Sequence, residues 1–189
     1  MTDLMRYAAA LEGAGGKSLP PVEKWNPDFC GEIDLVIKRD GTWFHEGTPI
    51  GRARLVRLFS TVLRRDGDDY FLVTPVEKME ITVEDAPFVA VLMRREEEGA
   101  EQALTFTTNV GDEVRADDEH PIVFRIDQET GEGAPYIEVR AGLEARISRA
   151  VFYDLVELGE TREIDGRDVF GVASGGAFFP FGSASEIYA

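Results

Sequence analysis

Cysteine, histidine and long apolar runs are all scarce in this chain, and each shortage excludes something. Cys30 is the one cysteine in 189 residues, so no intramolecular disulfide can form, and a reducing, cytoplasmic location is expected. His45 and His120 are the two histidines, which leaves little material for a metal centre built from three or four converging ligands. Asp117-Asp118-Glu119-His120 carries the right atoms, but consecutive loop residues do not converge on one ion, so a solvated acidic loop is expected. No metal and no cofactor are expected. The apolar run at 88–93 falls far short of the roughly 20 residues that cross a bilayer. The stretch Tyr7-Ala8-Ala9-Ala10-Leu11 lacks the basic start and the length of a signal peptide and reads as a short amphipathic helix. No Gly-x-Ser-x-Gly elbow occurs, and Cys30 has no basic neighbour in sequence to activate it.

Carboxylates are plentiful. Against 20 basic residues stand 36 acidic ones, a net charge of −16. Such a chain repels phosphate backbones and anionic lipid, so nucleic acid and membrane are not expected as partners. The basic residues are 16 arginines and 4 lysines, which favours bidentate, planar contacts at whatever positive sites exist.

Hydrophobic patterning gives an α+β chain. A Gly/Pro-rich loop over 13–21 follows the first helix, and a strand over 33–37 leads through the turn signal Asp40-Gly41 to a returning strand at 42–45. A helix is expected from about 52 to 65, because Leu55, Val56, Leu58, Phe59, Val62 and Leu63 share one arc, with Arg54, Arg57, Arg64 and Arg65 opposite. Strands are expected at 70–73, 80–83, 88–94, 103–107, 122–126 and 136–139, with acidic hairpin tips at 96–99 and 129–133. A second long helix is expected over 143–158, then a turn at Asp165-Gly166 and a strand at 169–172. The tail Phe178-Phe179-Pro180-Phe181-Gly182 is expected as irregular coil.

The halves echo each other. Ala53-Arg54-Leu55-Val56-Arg57 parallels Ala145-Arg146-Ile147-Ser148-Arg149, and Asp69-Tyr70-Phe71-Leu72-Val73 parallels Asp168-Val169-Phe170-Gly171-Val172. This suggests a repeated hairpin–helix–strand unit. The expected division is a helix and loop over 1–21, an α+β subdomain over 22–75 and a second subdomain over 76–189.

The repeat supplies the best functional lead. Arg54/Arg57 and Arg146/Arg149 would each stand one turn apart on a helix face, with Tyr153 beside the second pair. Two guanidiniums can clamp a phosphate or carboxylate, and a tyrosine can stack on a planar ring. Ordinary surface ion pairing is the competing explanation. Trp43 and Phe88 are candidate walls, and His45 and Lys78 candidate donors. By contrast, Gly15-Gly16-Lys17-Ser18 is no phosphate loop: Leu11 stands where the first glycine belongs, and Pro20-Pro21 blocks the helix that must follow.

The runs Asp40-Gly41-Thr42-Trp43-Phe44-His45-Glu46-Gly47-Thr48-Pro49-Ile50, Leu72-Val73-Thr74-Pro75-Val76-Glu77-Lys78 and Val83-Glu84-Asp85-Ala86-Pro87-Phe88 resemble a bacterial family known only as a domain of unknown function. The resemblance covers the chain from about Pro20. It implies a duplicated core in two subdomains, the C-terminal one similar to a pleckstrin-homology fold, a bent antiparallel sheet or partial barrel capped by a helix. It further implies a groove for a nucleotide-like ligand and a role in signal transduction, with no enzymatic activity attached. The expected function is therefore binding of a small anionic molecule. A protein-interaction module, exposing the 178–181 tail to a protein partner, is the first alternative. A small hydrolase using His45 with Glu77 or Glu84 is the second.

Overall fold

The computed structural model describes residues 19–97, 101–126 and 131–183, together with Ala9. The N-terminal helix other than Ala9, the Gly15-Gly16-Lys17-Ser18 stretch, and residues 98–99 and 129–130 of the two acidic hairpin tips lie outside the described residues. The chain is α+β and mostly sheet, with two α-helices among the described residues. It divides into two units, Met1–Asp85 and Ala86–Ala189. The strand expected at 80–83 belongs to the first unit, so the division falls after Asp85 rather than after Pro75.

The first unit holds a six-stranded sheet. After a 3-10 turn at Val22–Lys24, its strands are β1 (Phe29–Ile37), β2 (Trp43–His45), β3 (Thr48–Pro49), β4 (Leu63–Asp66), β5 (Asp69–Val73) and β6 (Lys78–Val83). Their spatial order is β3-β2-β1-β6-β5-β4. Helix α1 (Ala53–Ser60) separates the two meanders. Leu35, Ile37, Trp43, Phe59, Val62, Leu63, Leu72 and Val73 form its buried core.

Helix α1 is shorter than its apolar arc suggests. The Ser60 and Thr61 hydroxyls donate back to the carbonyls of Arg57 and Leu58 at 2.7 and 2.6 Å, competing with helix continuation. Past the expected end of the helix the chain makes a hairpin turn at Gly67-Asp68, with Asp66 facing Asp69 across the β4–β5 pair. A two-residue loop, here Gly67-Asp68 with Gly67 at positive φ (66°), is a hairpin turn and needs strand on both sides. Arg64 and Arg65 therefore sit on β4, and Arg64 is largely buried. Its Nη1 donates to the carbonyls of Val22 (3.2 Å) and Trp25 (2.6 Å) and its Nη2 to Asp66 Oδ2 (2.8 Å), tying the 3-10 turn to the sheet.

The second unit holds β7 (Phe88–Glu96), β8 (Ala103–Thr108), β9 (Glu113–Arg115), β10 (Ile122–Ile126), β11 (Gly133–Arg140) and β12 (Leu143–Ile147) in the order β10-β11-β12-β7-β8-β9. Helix α2 (Arg149–Glu157) follows, then a three-stranded sheet of β13 (Glu160–Ile164), β14 (Arg167–Ser174) and β15 (Ala177–Ser183). Helix α2 packs on β7 and β14, burying Val151 and Leu155.

The long helix expected over 143–158 is two elements. Leu143, Ala145 and Ile147 are buried and alternate with half-buried Glu144 and Arg146, which is the two-residue period of a strand. Ala141 and Gly142 both have positive φ (46° and 75°), the geometry of a type I′ hairpin turn, so β12 folds straight back on β11. Ser148 then starts the helix: its backbone is extended and its Oγ accepts from Val151 N, an N-cap.

The tail is also a strand. Val172 faces Phe179 across β14–β15, and Phe179 and Phe181 are buried. Pro180 is tolerated because β15 is the last strand of its sheet and the pairing shifts register between Phe170 and Gly171, the places where sheets accept proline.

Both six-stranded sheets share one plan. Three strands meander, three more meander, and the first and last of the six pair in parallel, β1 with β6 and β12 with β7. The hairpin–helix–strand repeat proposed from sequence does not hold in that form. Ala53–Arg57 is helix, whereas Ala145–Arg149 runs from strand through the cap into helix.

Candidate functional site

Strand β12 ends at Ile147, Ser148 caps, and α2 begins at Arg149, so Arg146 and Arg149 lie either side of a strand–helix junction instead of one turn apart on a helix. The junction still brings them together. Arg146 and Ile147 from β12, Arg149, Phe152 and Tyr153 from α2, and Glu132, Gly133, Ala134 and Pro135 at the start of β11 line one cavity of about 390 Å³. Tyr153 is one turn beyond Arg149, so the two side chains share a helix face, and the tyrosine is 61% exposed. Pro135 is held in place by pairing with Phe124 of β10.

The wall formed by Phe152 is backed by an aromatic cluster. Phe124 and Phe181 each lie about 6 Å from Phe152 between ring centroids, at 6.0 Å in both cases, and Phe170 joins at 6.2 Å from Phe181. Arg149 is exposed and makes no ion pair or hydrogen bond among the described residues. A cationic side chain so placed is available to an anion in the cavity. The N-terminal end of α2 adds a small favourable field for negative charge.

The other residues singled out from sequence do not join this cavity. Arg54 and Arg57 are exposed on α1 in the first unit. Trp43 is 1% exposed and Phe88 fully buried, so both are core residues. The guanidinium of Arg140 lies 4.9 Å from the centroid of the Phe88 ring. Lys78 donates to Asp66 Oδ2 at 2.7 Å, and its ammonium stands 4.0 Å from the Phe71 ring centroid.

That arrangement explains how Asp66, at the end of β4, is perturbed. Burial would raise Asp66, but the bonds from Arg64 and Lys78 outweigh it and hold the group below its ordinary value. Glu84 is also lowered, first by the hydrogen bond from Lys38 Nζ (2.6 Å) and then by the backbone N–H of Arg39 (3.1 Å). His45 stands on β2 and Glu84 just beyond β6, on opposite sides of β1. Two strand spacings, roughly 10 Å, separate those strands, so the histidine–carboxylate pair a hydrolase needs is not formed by His45 with Glu84.

Asp117 Oδ1 accepts from the backbone N–H groups of Glu119 and His120 at 3.0 Å, so this acidic loop is closed on itself. No group of three metal-ligating side chains occurs among the described residues. Phe179 and Phe181, 5% and 6% exposed, are unavailable as a docking patch.

Sequence reasoning missed Pro135, Ile147 and Phe152 as cavity walls. Phe152 was within reach, being three residues from Arg149 on a helix, but the hairpin register that brings Pro135 alongside was not.

Two family models match the chain: the domain of unknown function DUF1285, N-terminal domain, over residues 20–86, and the protein of unknown function DUF1285, C-terminal domain, over 87–181. The chain belongs to the DUF1285 family. The crystal structure of a DUF1285 protein from Silicibacter pomeroyi DSS-3 is similar at 50% identity and a TM-score of 0.90, over 98% of each chain. A second DUF1285 protein, from Shewanella baltica OS155, is 28% identical with a TM-score of 0.53, over 66% of this chain and 91% of that one. No curated protein matches. The boundary between the two DUF1285 models, at residues 86 and 87, agrees with the division of the structure after Asp85.

Proposed function

We propose that this DUF1285 protein binds a small anionic ligand with a planar ring, nucleotide-like in chemistry, in the cavity between β11, β12 and α2. On this reading it is a sensor in signal transduction, and its cavity holds a ligand without transforming it. One observation carries the reading: Arg146, Arg149 and Tyr153, contributed by a strand and a helix, line a single cavity of about 390 Å³. That volume is in the range of small-molecule sites, and the wall mixes apolar Ala134, Pro135, Ile147 and Phe152 with the charged Glu132, Arg146 and Arg149. Two guanidiniums suit a phosphate or carboxylate, while Tyr153 and Phe152 offer faces to a ring. A pleckstrin-homology-like character for this unit fits the same elements, a largely antiparallel sheet followed at once by a helix packed on its first strand.

The test is titration calorimetry with a panel of nucleoside phosphates, and with inorganic phosphate as the probe for charge alone. Loss of one charge-assisted contact costs about 1.5–3 kcal/mol, roughly tenfold to a hundredfold in affinity. Arg149→Ala is expected to weaken binding by that factor, and Arg54→Ala/Arg57→Ala to leave it unchanged. Retention of affinity in Arg146→Ala/Arg149→Ala removes the reading.

A further inference from the structure

Strand β13 is unlike every other strand in the second unit: all five of its residues, Glu160 to Ile164, are exposed. It forms one edge of the β13-β14-β15 sheet. The opposite edge is covered, since β15 lies along β10 and the Phe181 ring meets Phe124. The open edge is short and carries Glu160, Arg162 and Glu163, but it lacks the two guards that interrupt a ladder. It contains no proline, and its pairing with β14 runs from Glu160–Gly171 to Ile164–Arg167 without a bulge. A row of unpaired backbone donors and acceptors left this regular is a template for another strand.

Its charges say which strand fits. Glu160 and Arg162 share one face, where Arg162 Nε donates to Glu160 Oε1 at 2.7 Å. The Arg162 guanidinium is also fixed over the Phe178 ring at 4.5 Å. Two copies of β13 pairing antiparallel are related by an axis perpendicular to the sheet. Such an axis keeps each side chain on its own face, so it must pass through a pair of identical residues. Centring on Arg162 sets arginine against arginine, and centring on Glu163 sets glutamate against glutamate; directly opposed like charges destabilise a pair. Centring on Thr161 sets threonine against threonine, a favourable cross-strand pair, and places Glu160 opposite Arg162 of the second copy twice over.

We propose that β13 is a self-association edge, through which two copies of this chain join in the Thr161-centred register to make a continuous six-stranded sheet. The pairing is isologous and closes on itself, so it yields dimers rather than fibres.

Light scattering on the full-length chain is expected to give a mass rising with concentration to twice the 21.0 kDa of one chain. Register is read by cysteine trapping in a Cys30→Ser background. Directly opposed Thr161→Cys residues are about 4.5–5.5 Å apart between Cα atoms, within disulfide reach, so mild oxidation is expected to give a covalent dimer. Ile164→Cys residues would be roughly 20 Å apart along the paired strands and are expected to stay reduced. Arg162→Glu is expected to weaken dimerisation at least tenfold, and Glu160→Arg/Arg162→Glu to restore it. A chain that remains monomeric at the highest concentration reached overturns the proposal. So does a dimer trapped at Ile164→Cys and not at Thr161→Cys, or one indifferent to the charge reversal.

Discussion

Phe181→Ala is the sharpest test of how the second unit supports its cavity. Phe181 is 6% exposed, and its ring centroid lies 6.1 Å from Phe124, 6.0 Å from Phe152 and 6.2 Å from Phe170. Truncating a buried phenylalanine costs about 3–5 kcal/mol. Ring pairs at these separations contribute about 0.5–1.5 kcal/mol each beyond area burial, and three of them are lost together, which places the cost in the upper part of that span. With a urea slope of about 1–3 kcal/mol per molar, the unfolding midpoint should fall by roughly 2 M. Far-ultraviolet circular dichroism is the appropriate signal, because Trp25 and Trp43 both lie in the first unit and indole fluorescence would report the wrong half. The cavity should suffer too, since Phe152 loses its backing ring. A loss below about 1 kcal/mol, the scale of an exposed substitution, would falsify the packed-strand description of residues 177–183.

Gly171→Ala should be at least as damaging. A Cβ at that position collides with the Phe179 carbonyl oxygen and the Phe178 ring, and a backbone atom cannot swing aside; a large fall in Tm is expected, whereas Gly51→Ala, which meets nothing within 4 Å, should shift it little. Asp66 makes the first unit acid-sensitive: its folded pKa is lowered, so its contribution is complete above the unfolded value near 3.9 and disappears as pH drops through the folded one. Asp66→Asn is therefore expected to be less stable than the native chain at neutral pH, with the gap between their urea midpoints narrowing at acid pH; a gap that does not change with pH defeats this account.

Much of the strand content was legible because it rests on a period of two and on turn chemistry. The strand at 122–126 has the bounds expected of it, and the turns at Asp40-Gly41 and Asp165-Gly166 fall where the sequence puts them. Errors arose where one signal serves two structures. Leu143, Ala145 and Ile147 alternate as a strand does, yet Val151 and Leu155 continue at helical spacing, and the eye runs the two patterns together. The separator was Ser148, a hydroxyl before an apolar run, which is an N-cap signal. Likewise Asp66-Gly67 reads as a helix stop or a hairpin tip, and Thr61 and Val62, both β-branched, favoured the second. The strand β13 carried no hydrophobic period at all, because it buries neither face.

The two arginine pairs show how one pattern in sequence can correspond to two different settings in the fold. They were singled out as equivalent positions of a repeat, and they are not equivalent. Although the two sheets share a plan, α1 stands between the meanders of the first unit whereas α2 follows the whole sheet of the second. Arg54 and Arg57 consequently sit within one continuous helix and project from its exposed side. Arg146 and Arg149 flank a capped junction, where the chain changes from a strand buried in the sheet to a helix lying on it. A bend of that kind is concave, and side chains on either side of it can face a common space. It is the Ser148 cap, more than the spacing of the arginines, that makes a cavity of the second pair, and the same reasoning leaves the first pair as exposed charge on α1.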